Sequence, residues 1–176
     1  MKRFFLSIFF LLLVAPVFSQ VKNFNYFKLC VLNEKGEVLL VNFKDMWEPA
    51  GRKYDSPETM QTVLKQMAKE MGVEVGRLKL RAMIGKYYGD AKYPIMFNYV
   101  TAQYKSGELV IPPGCKDIKW YTPEEALKII PFDGMKMVLE KVFQDDSTLW
   151  AGALNITKVP NSTKKLASVR EKFYKY

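Results

Sequence analysis

One stretch, Ser56 to Val73 ("SPETMQTVLKQMAKEMGV"), limits the possible architectures more than any other. Apolar residues Met60, Val63, Leu64, Met67 and Met71 recur at helical spacing. Ser56 and Pro57 supply an N-cap and a first helical residue, and Gly72 can end the helix in a left-handed conformation. The pattern predicts one amphipathic helix of about four turns. Its apolar stripe needs a cover, and the segments on both sides read as strands, so the helix is expected to pack on a sheet.

Ahead of that helix, "FKLCVLNEKGEVLLVNF" is two apolar runs around "NEKG", a hairpin with Gly36 in its turn, followed by a loop carrying Trp47, Pro49 and Gly51. Behind it, "RLKLRAMIGKYY", "YPIMFNYVTAQY" and "GELVIP" are rich in β-branched and aromatic residues between Gly and Pro punctuation and read as strands. A second helix starts at "TPEEALKII", with Thr122 as N-cap, Pro123 as first residue and Glu125 at the capping-box position. A third is "DGMKMVLEKVF". The tail is read as a further strand, "TLWAGALNITKV", and a terminal helix, "TKKLASVREKFYKY", with residues Pro160 to Thr163 as the break. The order predicts an α+β class with helices packed on mixed strands.

The chain opens with Lys2 and Arg3, an apolar run from Phe4 to Val14, and small residues Val17 and Ser19. This is the pattern of a secretory signal peptide, residues 1–19, cleaved after Ser19; the run is too short for a stable membrane anchor. A secreted or periplasmic location follows as an expectation, with no transmembrane anchor after processing. From Gln20 onward there remain 25 basic and 18 acidic residues, a net charge of +7. That balance favours an anionic small molecule, a polyanion or an acidic surface as partner. The charge forms no stripe with interleaved aromatics, which argues against nucleic acid.

The sequence has no histidine and two cysteines, Cys30 and Cys115. The usual zinc sites and every histidine-dependent nucleophile mechanism are thereby excluded. An exported chain can form a disulfide, but Cys30 in an apolar run and Cys115 in the turn "PPGC" read equally well as a buried thiol and a loop thiol. The triplets beginning at Asn155 and Asn161 match the glycosylation pattern, which matters only in a eukaryotic host.

Gly51, then after five intervening residues Pro57, then Lys65, Gln66, Lys69, Glu70, Gly72 and Val73 share a frame with a known motif. The frame resembles the box of the Nudix superfamily: Gly, five residues, Glu, seven residues, Arg-Glu-aliphatic-x-Glu-Glu-x-Gly-aliphatic. It aligns without a gap from Gly51 to Val73. "WEPAGR" is similar to the family's Trp-x-x-Pro-Gly-Gly approach, one residue shorter, and "IKWYTPEEAL" to its later Trp strand and Glu-rich helix start. The resemblance covers Phe27 to about Phe132 and implies a Nudix-type α/β/α sandwich with a mixed β-sheet. It divides the chain into a Nudix-like domain at 20–145 and a basic C-terminal extension at 146–176.

In the family the box glutamates hold divalent cations, which polarise a diphosphate and activate water. Here Pro57, Lys65, Gln66 and Lys69 replace family residues, and Glu70 is the acid that remains. At about 100° per residue, positions 66, 69 and 70 project from one narrow face near the helix end. A lysine ammonium about 5 Å from a divalent ion would be repelled by on the order of 6 kcal/mol at an effective dielectric of about 20. The box is thus degenerate. Glu70 is the candidate catalytic residue and metal ligand, with Mg or Mn the implied cofactor if the chain is active. Arg52, Lys65, Gln66 and Lys69 are candidate substrate-binding residues, and Gly51 and Gly72 the structural frame.

Asp55, Glu58, Glu74 and Asp90 are candidate replacement ligands, but acids at these places commonly decorate helix ends and turns. Tyr87, Tyr88, Tyr93 and Phe97 could stack on a base or sugar, or simply fill the core. Three functions follow as expectations: a weakly active or non-catalytic domain that binds a phosphorylated or nucleoside-diphosphate-type ligand, an active metal-dependent hydrolase with a relocated acidic site, or a protein-interaction module on the same scaffold.

Overall fold

The computed structural model describes residues 25–160, 162 and 164–176; the leader, and Asn161 and Thr163 of the second glycosylation triplet, lie outside the described residues. The hairpin forms as its turn chemistry predicts. Strands β1 (Asn25–Leu32) and β2 (Val38–Phe43) flank a turn in which the Asn33 carboxamide accepts hydrogen bonds from the backbone N–H groups of Lys35 and Glu37. Gly36 takes the left-handed conformation there, with φ of 78°. Short strands β3 (Met46–Glu48) and β4 (Ala50–Tyr54) follow.

Helix α1 (Met60–Glu70) starts later than Ser56 and Pro57 predict, and so has three turns. Thr59 is the N-cap, its side chain accepting from Thr62 N–H, while Ser56 Oγ is engaged by Glu58 N–H in the approach loop. Val63, Leu64, Met67 and Met71 are buried as expected, together with Ala68; Met60 in the first turn is 45% exposed instead. Each of the large buried side chains stabilises the fold by about 1.5–3 kcal/mol.

Next come β5 (Val73–Tyr88), β6 (Ile95–Gly107), β7 (Cys115–Tyr121), α2 (Pro123–Ile129) and α3 (Asp133–Gln144). The capping box of α2 is present on Thr122 and Glu125. "GELVIP" is not a strand: residues 108–114 form a loop, in which Leu109, Val110 and Ile111 are exposed. Pro112 and Pro113 have no N–H to extend a ladder, and Val110 N–H bonds instead to Met71 C=O beside the end of α1.

The tail forms two strands, β8 (Trp150–Lys158) and β9 (Lys165–Lys175), and the expected terminal helix is absent. Tertiary pairing overrides local preference here: β8 offers an open edge, and β9 takes it antiparallel from Lys158↔Lys165 to Trp150↔Lys175, turning Ala167 and Phe173 toward the core.

The strands form one sheet in the order β3-β2-β1-β6-β5-β8-β9, with β4 pairing β1 and β7 pairing β2. Pairs β1–β6 and β5–β8 are parallel and the others antiparallel, so the sheet is mixed. On one face α1 packs over Phe27, Leu29, Val31 and Leu39. On the other α2 and α3 cover Cys30, Leu40, Ile84, Tyr99 and Leu154. This is the α/β/α sandwich that the resemblance implies. Among the described residues, no helix is long and apolar enough to cross a membrane.

Candidate functional site

The sheet forks at β1. Its first half, Asn25 to Leu29, pairs with β4, whereas Leu32 pairs with Val38 of β2. A cleft of about 490 Å³ opens at the fork, lined by residues of β1 to β4, the end of α1, the start of α3 and the sheet strands between them.

Lys28 lies inside the fork. Its ammonium donates to Glu48 Oε2 at 2.6 Å, with Pro49 C=O at 3.4 Å, and both ion-pair partners are largely buried. Gly51 sits directly across from Lys28 in the β1–β4 register, and a Cβ there would come within 2.5 Å of Lys28 Nζ. The first glycine of the frame therefore makes room for a buried lysine. The second, Gly72, has φ of 78°, and a Cβ on it would fall 2.0 Å from the Glu108 carbonyl oxygen. Only glycine fits that helix end.

Of the expected site residues, the structure brings Gly51, Arg52 and Glu70 together on the cleft wall. Arg52 donates to Glu70 Oε2, so the surviving box acid is held in an ion pair, with both side chains partly exposed. Lys65, Gln66 and Lys69 are exposed on α1 but do not line the cleft; the helix edge facing it runs through Met67, Glu70 and Met71. Asp55 pairs with Lys53, and neither it nor Glu58, Glu74 or Asp90 lines the cleft. Among the described residues no three His, Cys, Asp or Glu side chains converge as a metal cluster. Of the carboxylates that line the cleft, Glu70, Glu48 and Asp133, the first two each already have a basic side chain on one oxygen.

Sequence reasoning missed the floor of the cleft. Lys86 of β5 is 5% exposed, donates to Tyr99 Oη at 3.0 Å and sits over the Phe97 ring, 4.2 Å from its centroid. Burial lowers its pKa to about 7, assisted by the positive charges of Lys28 and Lys165, with Glu48 opposing. Tyr99 is itself fully buried, and its phenol pKa is raised well above the usual range by that burial. Tyr26 stacks on Phe97 with centroids 5.2 Å apart, and Tyr88 and Phe132 add further aromatic wall. Of the aromatics expected to stack on a ligand, Phe97 and Tyr88 line the cleft; Tyr87 instead lies under the Arg170 guanidinium and Tyr93 is exposed. Asp133 of α3 and Lys165 of β9 complete the charged lining. The available signal was a lysine on the core-facing parity of an apolar strand, Lys28 beside Cys30 and Lys86 beside Ile84.

Cys30 and Cys115 are both free thiols, one packed in the α2/α3 layer and the other against the α1 layer. Burial pushes the Cys30 thiol up to about 12.

No sequence-family model matches the chain, and no curated protein matches it. Solved structures do. A MutT mutator protein from Bacillus halodurans superposes with a TM-score of 0.64 at 18% identity, over 82% of this chain and 97% of that one. A Nudix hydrolase from Nitrosomonas europaea gives 0.63 at 12% identity, over 76% and 79%. The Nudix domain of Shewanella oneidensis NrtR, solved in complex with ADP ribose, gives 0.56 at 16% identity, over 68% and 86%.

Proposed function

We propose, with the Nudix hydrolase fold as the premise, that this chain is an exported Nudix-like domain that binds a phosphorylated or nucleoside-diphosphate-type ligand and has lost efficient hydrolysis. The observation that carries the reading is the Arg52–Glu70 ion pair on the cleft wall. It withdraws the last box carboxylate from a metal and leaves a guanidinium at hand, whose planar donors suit phosphate. The aromatic wall of Tyr26 and Tyr88, backed by Phe97, offers a surface for a base or sugar ring. The complex of the NrtR Nudix domain with ADP ribose supports a ligand of that class on this fold. Export rests on the apolar leader and its small-residue cleavage pattern.

The test is calorimetric titration of ADP ribose into the purified protein, in EDTA and then in manganese, followed by an assay for AMP and ribose 5-phosphate formation under the same conditions. The reading expects binding in EDTA, roughly tenfold weaker in Arg52→Ala, and no turnover. Manganese-dependent turnover that disappears in Glu70→Gln would overturn it in favour of a hydrolase with a relocated acidic site. No binding of ADP ribose or of a nucleoside diphosphate sugar would overturn it in favour of a protein-interaction module.

A further inference from the structure

We propose that Lys86 is a covalent capture site for small phosphorylated aldehydes, holding the carbonyl carbon as an imine at the floor of the cleft. The inference goes beyond the nucleotide reading and needs only the cleft and its lysines. Three features of the placement carry it.

Lys86 is buried yet lines the cleft, so its amine is withdrawn from bulk water while remaining in reach of a ligand inside. Unlike Lys28, it has no carboxylate partner among the described residues: its hydrogen bond goes to a phenol and its other close neighbour is the face of Phe97. Apolar surroundings together with nearby cations favour the neutral amine, the form with a lone pair to donate. Lys28 and Lys165 are those cations, and burial with their help brings the pKa of Lys86 to about 7, so the neutral, nucleophilic amine is populated near neutral pH. The other charged or titratable groups around the cleft are Glu48, which is paired with Lys28, the Arg52–Glu70 pair, Asp133, Cys115, Tyr26, Tyr88 and Tyr99.

The chemistry balances without an external oxidant or reductant. The Nζ lone pair attacks the aldehyde carbon, the C=O π pair moves to oxygen, nitrogen gives up a proton and oxygen gains one, and a carbinolamine forms. The C–O bond then breaks, the hydroxyl leaves with a proton as water, and nitrogen and carbon share the double bond. The sum is amine plus aldehyde to imine plus water. Tyr99, a neutral phenol in hydrogen-bond contact with Nζ, is placed to relay the proton between nitrogen and oxygen. Lys165 on the lining supplies a cation for the phosphate.

Glyceraldehyde 3-phosphate with sodium cyanoborohydride traps such an imine as a stable secondary amine. Incubated with the purified full-length protein at pH 7 and read by intact mass and peptide mapping, the first equivalent is expected on Lys86. Its rate should exceed that of the surface lysines by roughly tenfold and reach half its maximum near pH 7. Unphosphorylated glyceraldehyde should react roughly tenfold more slowly at the same residue, as binding of the phosphate is lost. Lys86→Arg, checked for native folding by circular dichroism, should lose the fast adduct. First adducts scattered over surface lysines, an unchanged rate in Lys86→Arg, or a half-maximum above pH 9 in the wild type would overturn the assignment, and equal rates for the two aldehydes would overturn its phosphate selectivity.

Discussion

A lysine ammonium that must lose its water on folding destabilises the native state, and Lys86 makes that effect measurable. Its pKa falls from 10.5 in the unfolded chain to about 7 in the fold, chiefly by burial. Between those values the unfolded chain holds a proton that the native state has released, so stability rises with pH across this window and the penalty is fully present below it. The linkage relation gives a penalty of about 4 kcal/mol at pH 7 and about 2 kcal/mol at pH 9. Lys86→Met removes the penalty but also the contacts to the Phe97 ring and Tyr99 Oη, together about 2 kcal/mol. The variant should therefore be more stable than wild type by about 2 kcal/mol at pH 7, an advantage that shrinks to about zero at pH 9. Urea unfolding of both proteins at each pH, followed by circular dichroism, reads this directly. Groups that titrate alike in the two proteins cancel in the difference. A stability difference that stays constant within about 0.5 kcal/mol from pH 7 to pH 9 would refute a neutral buried amine.

Gly72→Ala should cost on the order of 3 kcal/mol or more, because its φ of 78° and the Glu108 carbonyl 2.0 Å from the new Cβ act together; Gly36→Ala has the same φ but open space and should cost about 1 kcal/mol, both measured by urea unfolding. Reductant should leave the melting temperature unchanged, and iodoacetamide should label the half-buried Cys115 in the native protein while reaching Cys30 only in denaturant. Thr122→Ala should lower stability by about 1 kcal/mol through loss of the α2 capping box, measured by urea unfolding.

What could be read from the sequence was local. The Asn33–Glu37 turn, the Thr122 capping box, the third helix and the apolar face of α1 depend on residues within a few positions of one another, and each formed as its chemistry requires. The frame glycines were legible as well, although the reason for Gly51, a lysine directly across the register, required the pairing of β1 with β4. Apart from the start of α1, where Thr59 and not Ser56 caps the helix, failures came where a distant element decided. The final segment has enough helix-forming residues to read as a helix, but the open edge of β8 makes it a strand, and that strand carries Lys165 into the cleft. The helix face of Lys65, Gln66 and Lys69 followed the box frame, and only the tertiary packing shows that the cleft meets α1 along Met67, Glu70 and Met71.

The charges in the cleft also bear on the ligand proposed for it. Two of the carboxylates on its wall are each held by a base, Glu48 by Lys28 and Glu70 by Arg52, so these pairs contribute little net charge. Asp133, Lys165 and Lys86 then set the balance, and Lys86 changes charge near neutral pH. Protonation of Lys86 adds one positive charge to a confined, partly apolar space, where the effective dielectric is well below that of water. A phosphorylated ligand should thus bind more tightly at pH 6 than at pH 8 while any imine forms more slowly, since attack requires the neutral amine. Opposite pH trends for reversible affinity and covalent trapping are the signature of one lysine in both roles. Parallel trends would assign the two roles to different residues.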